Sequence, residues 1–521
     1  MKKYFSLSII LTVGIAAFLS FSFLQTKSKK VENKKKPNIL LLIVDDLKPL
    51  IGSYGDPNVK TPGIDRLASE GVLFENAYCQ QAVCAPSRVS FFTGKRPDRT
   101  KVFDLKTDMR TMNPDIITAP QFFKEQGYIT VGLGKLIHGA RHNDPISWTI
   151  QTKDDKNLNY AKGYSYPATG KYQNPEIRKA AEEAAALNLN WRKTKKYLRD
   201  HNLRPSTECL DVPDDAYVDG AIAEAGIKLM RKLSKKNQPF FIALGFHRPH
   251  LPFVAPKKYW DMYPRDSIKT YPFQKHAANS PAYAYQSWGE LRGYSDIPKQ
   301  GPLPVEKQRQ MIQGYWASTS YVDAQLAKVL KALDELGLDD NTIVVLWGDH
   351  GWHLGDHGLW CKHTNFEQAT KVPFIIRAPG YSKDSHANGF AELVDIFPTL
   401  VDLSGMEVPD YLEGKTLVPV LKNPKKEVKD FAVSQYYRGK DKMGYTMRTD
   451  RYRITIWLNG DFKSKYLFRD PDIASIELYD YKNDPMETVS QANNPEYKEV
   501  RDRLKKQLLA FLNEQADKYT N

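Results

Sequence analysis

Five consecutive residues, Cys84-Ala85-Pro86-Ser87-Arg88, set a thiol beside a proline and a guanidinium. Pro86 suits the first turn of a helix, so the Cys84 side chain is expected at a helix N-terminus, where unpaired backbone N–H groups favour an anion. Arg88 adds a charge it cannot lose and a planar fork that can grip a tetrahedral oxyanion. A cysteine alone would read as a small buried hydrophobe; with these neighbours it reads as a reactive group at the floor of an anion site. Two further sets of groups lie far off in the chain. Asp45-Asp46 follows the apolar run 39–44, and Gly348-Asp349-His350-Gly351 follows the run 342–347. Acids at the carboxyl ends of buried strands sit where open α/β sheets bind ligands.

Two more strand-like runs end in polar groups. Lys135 and His138 follow the run 128–132, and the glycines around them let the backbone come close enough for both to face one pocket. Phe246-His247-Arg248-Pro249-His250 follows the run 239–244. Of its two histidines, His247 is the expected general acid, because an imidazole pKa near neutrality suits protonation of a leaving oxygen. His250 would hold the loop or touch substrate.

The elements that must carry these groups alternate between strand and helix. Ile39–Val44 is long and apolar enough for a strand buried on both faces. Thr61-Pro62 opens a helix as N-cap and first-turn proline, with Gly71 ending it. A short strand at 72–77 leads to Cys84, a helix begins at Ala119-Pro120, and amphipathic helices cover 216–233 and 305–336. The alternation specifies an α/β fold with a mostly parallel sheet. From about 141 to 213 the sequence turns polar with no clear strand; 176–186 is expected to be helical, packed down by Trp191 and Tyr197, in an insertion over the site or a plain surface elaboration. The aromatic stretch 253–304, with Tyr259, Trp260, Tyr271, Tyr283, Tyr285 and Trp288, would either stack sugar rings or pack long loops. After Asn423 the pattern alternates as antiparallel strands at 431–437 and 443–457, and a closing helix runs from 495 to about 518.

The run Cys84-Ala85-Pro86-Ser87-Arg88-Val89-Ser90-Phe91-Phe92-Thr93-Gly94 resembles the signature of the sulfatases, in which the Cys is converted after synthesis to formylglycine (3-oxoalanine). The resemblance extends over 37–490 and implies an alkaline-phosphatase-like fold: a large mixed, mostly parallel sheet flanked by helices, with a smaller C-terminal α+β subdomain on an antiparallel sheet. It implies one Ca²⁺ held by Asp45, Asp46, Asp349 and converted residue 84. His350 is included as a further ligand, although many sulfatases carry Asn there and Ca²⁺ prefers oxygen donors. It further implies that Lys135 and Lys362 bind sulfate, that Arg88 balances charge, and that His138 bonds the aldehyde-derived oxygen and helps deprotonate its second hydroxyl so that sulfate leaves. His247 would then touch substrate as it protonates the departing sugar oxygen. Asp45-Asp46-Leu47-Lys48-Pro49, Phe246–His250 and His350 resemble the iduronate-2-sulfatase branch, and Glu477-Leu478-Tyr479-Asp480 with Asp484-Pro485 and Glu487 resembles a turn of the family's C-terminal subdomain. The implied activity is exo-hydrolysis of sulfate esters on a sulfated carbohydrate by a sulfuric ester hydrolase. Its implied partners are a sulfated saccharide and a formylglycine-generating maturation enzyme. Two alternatives stay open: a phosphatase or phosphodiesterase of the same superfamily, against which the nucleophile type speaks, and a non-catalytic binder of sulfated polysaccharide.

Composition sets the outer limits. At 521 residues, 41% hydrophobic and 26% charged, the chain is globular and exceeds one ordinary core. Half of its net charge of +14 comes from 1–36, where eight lysines face Glu32. The remaining excess fits anionic substrates and equally fits simple solubility; nothing points to nucleic acid. Lys2-Lys3 and the apolar run 5–24 read as a signal peptide or N-terminal anchor over 1–25, followed by a basic linker at 26–36. The expected domains are then a catalytic domain at 37–425 and a C-terminal subdomain at 426–521, in a protein that is exported: periplasmic, secreted, or anchored facing outward. Its one expected membrane association is through an uncleaved leader. With Cys84 set aside, Cys79, Cys209 and Cys361 allow at most one disulfide and require none.

Overall fold

The computed structural model describes residues 36–138, 144–461 and 471–518. The expected leader, and the linker up to residue 35, lie outside the described residues. Residues 37–521 form one compact unit. Among the described residues no helix is long and apolar enough to cross a membrane.

Strand β1 (Asn38–Val44) is buried along its whole length. Ile39, Leu41 and Ile43 enter one hydrophobic core while Leu40, Leu42 and Val44 enter another. An unbroken apolar run has this use only where a strand is covered on both faces. The chain continues through α1 (Pro62–Ser69), β2 (Val72–Tyr78), α2 (Cys84–Thr93), β3 (Ile129–Gly134), β4 (Ile150–Lys153), α3 (Pro175–Ala186), α4 (Trp191–Asp200), α5 (Val218–Leu233), β5 (Phe240–Phe246), α6 (Val305–Glu335), β6 (Thr342–Gly348), β7 (Lys371–Val372), β8 (Phe374–Arg377) and β9 (Ser385–Glu392). The strands form one mixed sheet in the order β7-β2-β8-β6-β1-β5-β3-β4, with β9 also paired to β2. From β6 to β4 every pairing is parallel, whereas β8 runs antiparallel to β6 and β2. Helices α5 and α6 cover one face; α2 and the helix Ile396–Leu403 cover the other.

A second, antiparallel sheet follows: β10 (Phe431–Arg438), β11 (Lys442–Thr449), β12 (Tyr452–Asn459) and β13 (Ile473–Asp480). Met443, Tyr445, Met447, Ile454 and Ile456 pack against Leu504, Leu508 and Leu512 of the closing helix α7 (Lys498–Lys518).

Three local expectations need correction. Thr61 makes no side-chain cap to α1; its hydroxyl instead accepts from Gly52 N, and Asp323 of α6 takes the N–H groups of Gly63 and Ile64 at 3.0 and 2.7 Å. A buried carboxylate from a neighbouring helix satisfies those donors better than a hydroxyl would. The segment 141–213 does hold strands, β4 and Thr207–Leu210, but each is four residues long and too short for a periodic signal. Trp191 does not pack this segment down: its ring is exposed, with Lys195 and Arg192 over it. The motif 477–487 spans the end of β13 and the turn that follows Asp480. Tyr259, Trp260, Tyr285 and Trp288 are buried in a core shared with α6, so these aromatics pack loops. All four cysteines are free.

Candidate active site

The parallel register brings the strand ends level. Val44 of β1 lies opposite Phe246 of β5 and Gly348 of β6, and Gly134 of β3 lies opposite Gly245. The next residues of these strands, Asp45, His247, Asp349 and Lys135, therefore leave the sheet along one edge. Lys135 N donates to Gly245 O at 2.8 Å, an approach that needs glycine: a Cβ at 245 would lie 1.9 Å from the Lys135 carbonyl oxygen. Asp46 adopts a left-handed φ of 61°, which turns its carboxylate back toward that of Asp45. Lys362 sits between Cys361 and His363, both at φ 75°. Such conformations persist only where the surroundings hold them, and they concentrate at functional sites.

Cys84 opens α2 and is buried with every other residue of that helix. Its Sγ lies 3.3 Å from Lys135 Nζ, 3.4 Å from His350 Nε2 and 3.6 Å from Asp45 Oδ1. Arg88, one turn on, donates from Nε to Asp349 Oδ2 at 2.7 Å, from Nη2 to Asp45 Oδ1 at 3.1 Å, and from Nη1 to the carbonyls of Lys135 and Leu136. Four of its five N–H groups are thus spent on the protein. Arg88 holds Asp45 and Asp349 together, and the expected bidentate grip on a substrate oxyanion has no pair of donors left to make it. Lys135 Nζ donates to Asp45 Oδ2 at 2.5 Å, and Lys362 Nζ to both oxygens of Asp46 at 2.8 and 3.0 Å.

Charge and burial compete here. Burial alone would push the Asp45 carboxyl up, but Lys135, His250 and Arg88 outweigh it and hold it well below the usual range. Asp46 goes the other way: burial, together with the neighbouring Asp45 charge, overrides Lys362 and drives its carboxyl well up. A site that makes one of two adjacent acids costly to ionise is short of positive charge. The donors fit a cation that would supply it. Single atoms of Asp45, Cys84, Asp349 and His350 lie within 4.8 Å of one another, as do those of Asp45, Asp46, Cys84 and His250. His350 Nδ1 is 3.0 Å from Gly351 O, which leaves Nε2 facing Asp46 and Asp349 at 3.4 and 3.6 Å. Against its burial, those two acids and Cys84 raise the His350 pKa to about 9. Three carboxylates favour a hard cation such as Ca²⁺.

Eight of the ten anticipated residues meet directly: Asp45, Asp46, Cys84, Arg88, Lys135, Asp349, His350 and Lys362. His138 lies in the same field; burial, then Lys135, lowers its pKa to about 3. His247 makes its contacts elsewhere, with Nε2 3.0 Å from Asp155 Oδ2 and its backbone N–H donating to Asp219 Oδ1 at 2.8 Å. Two acids escaped sequence reasoning. Asp155 belongs to the polar insertion, which thus reaches His247. Glu290 bonds His250 at 3.0 Å and Lys362 at 3.3 Å. Its one signal was a charge after Gly289 inside an aromatic stretch.

Residues 37–406 match the family profile described as Sulfatase, and residues 355–514 match that of the N-sulphoglucosamine sulphohydrolase C-terminal region. The chain is 35% identical to the iduronate 2-sulfatase of Mus musculus over 88% of its own length and 91% of the relative's; the Homo sapiens iduronate 2-sulfatase is equally similar, with the same coverage. Among solved structures, the phosphonate monoester hydrolase of Agrobacterium radiobacter superposes with a TM-score of 0.67 at 22% identity, covering 92% of this chain and 96% of that one.

Proposed function

The chain belongs to the sulfatase family and is a sulfuric ester hydrolase, and on that premise we propose that it cleaves sulfate esters of a sulfated saccharide, with residue 84 as formylglycine and one Ca²⁺ in the carboxylate cluster. The observation that carries this reading is the convergence of three carboxylates and two lysines on Cys84, at the first residue of a buried helix. Asp45, Asp46, Asp349, His350 and residue 84 would hold the ion. When present, the hydrated aldehyde supplies a nucleophilic oxygen and Ca²⁺ supplies positive charge toward the sulfate. The names of the mouse and human relatives support a sugar ester as the substrate.

The chain's own groups do the remaining work. Lys135 and Lys362, now paired with Asp45 and Asp46, turn the rest of their charge to the sulfate oxygens. Asp155 fixes one ring nitrogen of His247 and leaves the other to protonate the leaving sugar oxygen. With a pKa of about 3, His138 is a weak base, so it orients the oxygen at residue 84 by a hydrogen bond. Arg88 keeps the two acids in place. Export, in periplasmic, secreted or outward-anchored form, is proposed from the leader alone, and a formylglycine-generating enzyme is a required partner.

The test is sulfate release, measured by ion chromatography, from defined sulfated saccharides and matched phosphate esters, using protein co-expressed with a maturation enzyme. Sulfate release that stops with chelator and returns with Ca²⁺ is expected. Turnover of the phosphate esters alone, or an intact thiol at residue 84 in fully active protein, would overturn the proposal.

A further inference from the structure

Beside the charged cluster lies a cavity of about 360 Å³, within the size range of small-molecule sites. Its walls come from the polar insertion, through Lys171, Trp191, Lys195 and Arg204, and from the loops carrying His250 and Glu290. These last two residues join it to the centre: His250 Nε2 lies 3.9 Å from Asp46 Oδ2, and Glu290 lies 3.3 Å from Lys362 Nζ.

The charges in this cavity do not balance. Lys171, Arg192, Lys195 and Arg204 line it, and Glu290 is the one acid among its lining residues. Glu290 is already committed to His250 and Lys362. Arg204 bonds the Gly293 carbonyl at 2.6 Å and lies over the Tyr294 ring, and neither contact neutralises it. Among the described residues, no carboxylate lies within ion-pair distance of any of these four cations. A solvated basic face would tolerate such an excess. Here, though, burial and the nearby Arg248 bring the Lys171 pKa down to about 7, and burial and Arg204 bring that of Lys195 to about 8. Cations confined in a concavity without counter-charge repel one another, and a bound anion relieves that cost. Trp191 stands at the same cavity 62% exposed, with Lys195 Nζ 4.2 Å from its ring centre. A large exposed ring beside fixed cations can take the apolar face of a sugar whose charged substituent meets the lysines.

We propose that this cavity is a subsite for a second oxyanion, a carboxylate or a further sulfate, on the sugar adjoining the scissile ester. The subsite rests on reading the carboxylate cluster as a sulfatase centre, and it makes the preferred substrate an oligosaccharide with at least two charges. Lys135 and Lys362 serve the ester that is cleaved; Lys171 and Lys195 serve its neighbour.

Three sulfated disaccharides test it: one with a uronate neighbour, one with that uronate reduced to the alcohol, and one with a second sulfate in its place. The aryl ester 4-nitrophenyl sulfate, which carries no second anionic group, is the control. Lys195→Ala and Lys171→Met are each expected to raise KM about 10- to 100-fold on the doubly charged disaccharides, the equivalent of one charge-assisted contact. The kcat on those substrates, and the kinetics on the aryl ester, should stay unchanged. The uronate and disulfate arms identify which oxyanion binds. Equal losses on the aryl ester, no loss on any substrate, or equal KM for the neutral-neighbour disaccharide would refute the subsite. Calorimetric titration of the same disaccharides into Cys84→Ala, with and without Lys195→Ala, separates the two readings. Lysine-dependent binding without sulfate release from active-site-intact protein would sink the esterase reading alone. Sulfate release with lysine-independent binding would sink the subsite alone.

Discussion

Replacing Arg88 by Ala removes a guanidinium that bonds both Asp45 and Asp349. In the folded protein the guanidinium is wholly buried, 2.7 Å from one carboxylate and 3.1 Å from the other, and it also satisfies two carbonyls at the end of β3. Its loss leaves the buried Asp349 without its guanidinium partner and Asp45 with Lys135 alone. Removing one partner of a buried ion pair costs about 3–5 kcal/mol, chiefly through the charge left uncompensated. Arg88→Lys keeps a charge, but a single ammonium cannot reach four acceptors spread around a planar fork. Its expected cost is about 1–3 kcal/mol, that of leaving buried acceptors unpaired. Urea unfolding in chelator isolates the protein's own charges. Trp347 is a fitting fluorescence probe, since it is fully buried at the end of β6, two residues before Asp349, with its ring 4.8 Å from Phe91 of α2. Added Ca²⁺ should recover part of the Arg88→Ala loss, because the ion replaces positive charge between the same acids. A variant within about 1 kcal/mol of the parent in chelator would refute the reasoning: it would mean that the two acids are not held charged and dry against Arg88.

Three other outcomes are expected. Cys84→Ser should abolish sulfate release while changing unfolding free energy by less than about 1 kcal/mol, because Sγ makes only polar contacts longer than 3.2 Å; a large loss of stability would contradict this. His247→Ala should lower kcat by about 10²- to 10⁴-fold on sugar sulfates, whose alkoxide leaves poorly, and far less on an aryl sulfate; equal losses on both would remove His247 from the general-acid role. Burial, assisted by Lys135 and Lys362 respectively, holds the His138 and His363 pKa values at about 3. The unfolded chain takes up these protons near pH 6.5 and the folded one does not, so stability is full above pH 6.5 and falls as pH drops toward 3. Each histidine contributes up to about 1.4 kcal/mol per pH unit, and His363→Gln should flatten the slope in urea unfolding between about pH 7 and pH 5.

The sequence was most legible where local chemistry and strand ends coincide. Unbroken apolar runs identified β1, β5 and β6, because a strand covered on both faces has no place for alternation. The residues just after those runs carried the site. Less legible were groups whose importance comes from partners far off in the chain. Asp323 caps α1 across some 260 residues. Glu290 sits in a loop and Asp155 in a short 3-10 turn, where one acid looks like any other.

From residue order alone came the reactive cysteine at a helix start, the acids beyond the strands, and the alternation that specifies the sheet. Tertiary structure alone decided that Arg88 binds the protein's own carboxylates, that Asp46 turns back toward Asp45, and that four cations with no carboxylate partner among the described residues share a cavity with an exposed tryptophan. The physical reason is that a buried charge takes its role from the partners that surround it. Those partners are assembled by strand register and loop packing, which no stretch of sequence displays.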